Sequence, residues 1–300
     1  MTGISATKAD LAIQARQAAS DSQGYWQTVA RRLARDKTTI VFGAVLMLMF
    51  AAILLAPALA PHDPYQANML LRLKPIGFEH YPLGTDELGR DMLTRLFYGG
   101  RLSWALGITP VVIALAIGGT LGVVAGFAGG WVNMMIMRVT EVFLAFPSVL
   151  LAVAISGTLG GGISNAILSL ALVFIPPIIR VAETVTTSIR ELDYIEAARA
   201  SGAGSLTIVR VHVLPNVLGP IFVYKTGLIS VSTILAAGLS FLGLGTKPPE
   251  PEWGLMLNTL RDAIYTQPLV TMVSGFCIFL TSICFNMVSD GLRAAMDVRA

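Results

Sequence analysis

The chain has 300 residues, of which 54% are apolar and only 13% charged, about half of the roughly 25% charge of an ordinary globular domain. Its mean hydropathy of +0.70 excludes intrinsic disorder and a soluble domain, because so few charges cannot cover a water-facing surface; the missing surface must face lipid. A net charge of +3 with no long basic run argues against a nucleic-acid partner.

Apolar runs near the ~20 residues that cross a bilayer predict six spans, taken here in chain order. A polar tail, 1–38, precedes the first, 39–60. Ala56-Pro57-Ala58-Leu59-Ala60 has the small-residue look of a signal-cleavage site. The polar lead and the apolar run are both too long for one, so the run is expected to remain as a span. An extended loop reaches to residue 101. It opens on His62-Asp63-Pro64-Tyr65, and 83–91 reads as a turn and helix start, with Thr85 as cap and Asp86 and Glu87 at the positive end of the dipole. Met92, Leu93, Leu96 and Phe97 then form an apolar stripe opposite Arg90, Asp91 and Arg95, the pattern of an amphipathic helix on the membrane surface or against the bundle.

The second span, 102–128, leads into four glycines at a spacing of four: Gly118, Gly122, Gly126 and Gly130. Such a stripe lets another backbone approach closely. Prolines interrupt the third span, 134–159, at Pro147 and the fourth, 163–182, at Pro176-Pro177. The loop 183–215 is the one extended polar segment between spans on its side. It predicts a helix over 188–201, with Glu191, Asp193 and Glu196 early and Arg199 late, stopped by Gly202 in a left-handed cap. A shorter amphipathic piece, 206–213, leads to Pro215, placed to start the next helix.

The fifth span, 217–244, holds Lys225, roughly 13 Å in by helical rise. Such a charge either snorkels to the interface or serves function, paired with Glu141 or Glu183 or facing a water-filled path. The sixth span, 268–288, carries Cys277 and Cys284. Seven residues apart, about 10.5 Å along a helix, they cannot form a disulfide. A short tail, 293–300, closes the chain. Six spans put both termini on one side. The excess of Lys and Arg in the tails and in 183–215 makes that side cytoplasmic.

Glu196-Ala197-Ala198, then Gly202, then Leu214-Pro215 resembles the EAA loop of bacterial binding-protein-dependent ABC importer permeases. The longer stretch DYIEAARASGAGSLTIVRVHVLPN (193–216) is similar to the dipeptide/oligopeptide/nickel subfamily. Five further stretches agree in order: HDPY (62–65); PLGTDELGRDMLTRLFYGGRLS (82–103); EVFLAFPS (141–148); LSFLGLG with PEWG (239–254); and SDGLRAAMDVR (289–299). Together they resemble the C-type permease over nearly the whole chain. His212 stands where many importers carry an aliphatic residue. Ala236-Ala237-Gly238 replaces an acidic position common in relatives, and Lys225 replaces a neutral or amide side chain.

The resemblance implies an all-α, six-helix, type I importer permease in the bacterial inner membrane. Residues 102–292 would form the transmembrane domain, and Glu196, Ala197, Ala198, Gly202, Leu214 and Pro215 would contact an ATPase. The implied partners are a second homologous permease, two cytoplasmic ATPase subunits and an extracytoplasmic solute-binding protein. The chain has no G-x-x-x-x-G-K-S/T nucleotide loop, so no cofactor is expected in it and ATP would be bound by the partners. Three scattered histidines suggest neither catalysis nor a metal site. The alternative from another class is an ion-gradient-driven secondary transporter, for which only Lys225 is suitably placed; a membrane receptor or scaffold is a third reading.

Overall fold

The computed structural model describes residues 27–296. Most of the two expected tails, 1–26 and 297–300, lies outside the described residues. Among the described residues there is no strand, only two isolated bridges, Phe78 with Tyr81 and Thr85 with Asp91. Five helices among the described residues are long and apolar enough to cross a membrane: α1 (Lys37–Leu54), α2 (Met92–Ala128), α5 (Ile163–Arg190), α7 (Ser205–Phe241) and α9 (Pro268–Met296). A sixth span is made by α3 (Gly130–Leu144) and α4 (Ser148–Leu159) if that bent pair is counted as one. Among the shorter helices are α6 (Asp193–Ala200) between α5 and α7, and α8 (Trp253–Thr259) between α7 and α9.

The spans run alternately up and down, so the bundle has an end bearing α6 and an end bearing the long loop. The start of α1 meets the last turns of α9 at Gly291, where a Cβ would collide with the Thr39 side chain. Both described ends of the chain therefore lie at the α6 end. Three apolar clusters stack along the bundle: Ile189, Ile195, Ile208 and Val217 at the α6 end; Leu106, Leu170, Phe174 and Leu239 in the middle; and Met92, Leu96, Trp253 and Met256 at the loop end.

The expected glycine stripe is found at three of its four positions. A Cβ on Gly122 would lie 2.5 Å from the Ala182 Cβ and 2.6 Å from the Ile179 carbonyl oxygen, and one on Gly126 2.7 Å from the Glu183 oxygen. The backbones of α2 and α5 thus pack as closely as small residues permit. Gly130 lies past the end of α2, beyond Gly129 at φ +65°, and packs against nothing.

The helix boundaries correct several expectations. The first span stops at Leu54, six residues early, and the Pro57 turn Ala56–Leu59 is separate. The amphipathic helix and the second span are one 37-residue helix; at 1.5 Å per residue it is about 56 Å long, so its polar first turns project beyond the hydrocarbon layer. Its cap is Asp91, which accepts from the Leu93 and Thr94 amides, and not Thr85, whose hydroxyl donates to the Leu71 carbonyl. Pro147 does interrupt the third span, bending it by 89°, whereas α5 runs unbroken through Pro176-Pro177 to Arg190. Pro215 stands, as expected, in the first turn of the α-helix Leu214–Phe241, though that stretch does not begin the span. The chain is helical from Ser205, passing through a π turn at Val209–Val213 just before that proline.

Candidate functional site: an exposed helix between two spans

The helix α6 is built to be presented. Asp193 and Glu196 lie in its first turn and Arg199 in its last, as its dipole favours. It ends in a Schellman motif: the Gly202 amide donates to the Arg199 carbonyl (2.9 Å) and the Ala203 amide to the Ala198 carbonyl (3.1 Å), with Gly202 at φ +83°. Only Ile195 is buried, at 0% exposure, within the apolar cluster at this end. Two further contacts brace the helix. The Arg199 guanidinium stands 5.6 Å from the Phe127 ring at the end of α2, and the Tyr194 ring 6.1 Å from His212 in the π turn. Everything else faces outward. Glu196 and Ala197 are exposed, Ala198 is half-buried, and Leu192, Tyr194 and Leu206 add exposed apolar area around them.

The predicted site residues therefore divide. Glu196, Ala197, Ala198 and Gly202 form one continuous feature on α6 and its cap. Leu214 and Pro215 are exposed too but belong to α7; Leu214 lines an apolar groove with Thr120, Val124 and Leu218. Lys225 is half-buried, with Nζ 4.9 Å from the Phe222 ring. Neither expected carboxylate pairs with it. Glu141 accepts from Arg138 on its own helix (3.0 Å), and Glu183 accepts from Asn133 (2.7 Å) and Thr187 (3.2 Å).

The opposite end is closed where α6 is open. Asp86 is 2% exposed and takes Arg90 Nε at 2.6 Å, with Arg95 Nε 3.2 Å from the same oxygen. Its other oxygen accepts the Leu88 and Arg90 amides, both at 2.9 Å. Arg95 donates to the Pro64 carbonyl (2.9 Å) and reaches that of Pro249 (3.4 Å), tying the long loop to the segment after α7. His62 Nδ1 lies 3.2 Å from the Asp91 carboxylate and its ring stacks on Tyr81. Glu252 caps α8 through the Gly254 and Leu255 amides and accepts from Ser103, while Trp253 donates its indole N–H to the Leu96 carbonyl. Burial, and then the charge of Asp86, hold the Glu87 carboxyl above its ordinary range. This network was not foreseen. Its sequence signal is the acid–base spacing of Asp86, Arg90 and Arg95, which the sequence places at a helix start and on the polar face of an amphipathic helix.

Between the two ends, the break joining α3 to α4 stands out from the bundle, with residues 141–150 all exposed. It borders a cavity of about 360 Å³ lined by Phe143, Phe146, Leu151, Phe174, Pro177 and Leu228.

The family model for the binding-protein-dependent transport system inner membrane component matches residues 118–300, more than half of the chain. The chain belongs to that family. A second model, for the N-terminal TM domain of oligopeptide transport permease C, matches residues 24–75. Curated relatives include the glutathione transport system permease protein GsiD of Pectobacterium atrosepticum, 39% identical over 91% of this chain and 90% of the relative. The dipeptide transport system permease protein DppC of Alkalihalophilus pseudofirmus is 41% identical over 91% and 89%. Among solved structures, the MetNI methionine ABC transporter in an inward-facing conformation matches with a TM-score of 0.55 at 20% identity, over 68% of this chain and 97% of that chain. The fold is thus that of a type I ABC importer permease, and this permease is a multi-pass protein of the inner membrane rather than a catalyst.

Proposed function

We propose that this permease forms half of a translocation path for short peptides and is driven through α6. On this reading α6 is the coupling helix. A cytoplasmic ATPase holds it at Glu196, Ala197 and Ala198, where side chains without bulk leave room for a partner's cleft, and Leu214 and Pro215 flank the contact. The single observation that carries the reading is that α6 is exposed on all sides but one and anchored by Ile195 in the cluster that joins α5 to α7. A push on α6 is thereby transmitted to two spans as a rigid-body motion. Both termini, the tails and the loop 183–215 are then cytoplasmic, and the clamped loop faces the solute-binding protein.

The broken helix supports the path. Non-helical backbone at membrane depth is tolerated only where protein covers it or water fills a cavity beside it, so the exposed break at residues 145–147 calls for a second permease and a shared aqueous route. Peptides are proposed because the relatives are named for dipeptide and glutathione transport. Two ATPase subunits, one second permease and an extracytoplasmic binding protein complete the assembly, and ATP is bound by the ATPases. The test is Gly202→Asp, which no neighbour crowds but which strains the left-handed cap of α6 at φ +83°. ATP-dependent uptake of a labelled dipeptide is expected to be lost with the chain still inserted; normal uptake by the inserted variant refutes the coupling role.

A further inference from the structure

Between α5, α7 and α9, towards the α6 end, lies an open-sided cavity of about 460 Å³ that the transport reading does not use. Val181, Pro220 and Met296 give it apolar walls; Asn216, Tyr224 and Arg293 supply its polar groups. Arg293 sits in the last turn of α9 and is exposed. It makes no ion pair among the described residues, although Asp290 precedes it by three positions. It follows Val288, the end of the apolar run, by five residues, about 7.5 Å along the helix. Its guanidinium is therefore at headgroup depth, with Pro220 level with it across the α7–α9 seam and Met296 one turn further out along α9.

The wider surface at this end is positive. Exposed Arg31, Arg35 and Lys37 lie just before and at the start of α1, which the contact of Gly291 with Thr39 and Asp36 sets on the face of α9 turned away from Arg293, two residues or about 200° round the helix. The one carboxylate among them, Asp36, is engaged in capping α1 through the Thr38 amide and the Thr39 hydroxyl. Basic groups at the inner face of a span attract anionic lipid, and basic pockets between spans hold its headgroups.

We propose that this cavity binds one anionic phospholipid by its headgroup region, its phosphate on Arg293 and its glycerol and first acyl carbons against Val181, Pro220 and Met296. A zwitterionic lipid fits the walls equally well but gains nothing from the neighbouring basic residues.

The test is native mass spectrometry of the full-length chain, with whatever partners co-purify, delipidated in detergent and titrated with phosphatidylglycerol or phosphatidylcholine of identical chains. Wild type is expected to favour phosphatidylglycerol by about fivefold. Arg293→Gln should bring the two lipids to near parity and Arg293→Lys should keep most of the preference. Val181→Trp, which fills the groove and leaves the charge, should lower binding of both. Excess inorganic phosphate should leave the lipid in place. Equal binding by wild type, or a preference that survives Arg293→Gln, overturns the proposal. So does full displacement by phosphate, which marks a free-anion site, or by a dipeptide, which marks a piece of the transport route. The readout needs neither ATP nor uptake, so its failure is separate from failure of the coupling reading.

Discussion

The two ends of this permease solve opposite problems. At the loop end, charged groups are buried and matched: Asp86 serves two guanidiniums, Arg95 reaches two carbonyls from distant segments, and Glu252 satisfies two amides and a hydroxyl. At the α6 end the charged groups stand in solvent, and the helix is fixed to the bundle by one buried isoleucine and two ring contacts, Arg199 with Phe127 and Tyr194 with His212. Removing one member of a buried ionic cluster is expensive, so the loop end resists deformation and acts as a frame. The α6 end has little to lose on moving as a unit, which suits a handle.

The sharpest way to break this comparison is Asp86→Ala, which leaves Arg90 and Arg95 buried without that carboxylate. A loss of about 3–5 kcal/mol is expected in denaturant unfolding of the solubilised chain; a loss no larger than that of an exposed α6 substitution such as Glu196→Ala erases the contrast. Next is the seam that links the ends. Gly122→Val forces a side chain against Ala182 and the Ile179 carbonyl and should cost about 1–3 kcal/mol by the same measurement.

The smallest effect is a pH dependence. The raised pKa of Glu87 means the fold disfavours its ionised form. That penalty is absent below the carboxyl's unfolded pKa and fully present above its folded one. Wild type should therefore gain stability relative to Glu87→Gln as pH falls through the carboxylate range, and a gap that does not change with pH contradicts the burial argument.

How much was legible in the sequence follows the same division. The spans are legible because each is a long stretch dominated by apolar residues, and α6 because its charges, its alanines and Gly202 are local to one stretch of chain. The left-handed cap at Gly202 appears where the residue type demanded it. The loop-end clamp was not legible. Arg95 finds its partners 31 and 154 residues away, and a polar face that meets its partners only in the folded state looks the same as one that meets water. For the same reason the sequence leaves the amphipathic helix either on the membrane surface or against the bundle and separate from the second span, whereas the two are one helix whose first turns are buried against the loop. Pro215 stands in the opening turn of the α-helix Leu214–Phe241, where its type is favoured, while Pro147 bends the chain by 89°.

The central claim is that α6 is a handle held by another protein, and co-purification tests it most directly. A tagged chain extracted in mild detergent should bring ATPase subunits with it. Ala197→Trp should release them with the thermal midpoint of the bundle unchanged, since Ala197 is exposed. Undiminished retention of the ATPases by Ala197→Trp, with uptake intact, contradicts the account.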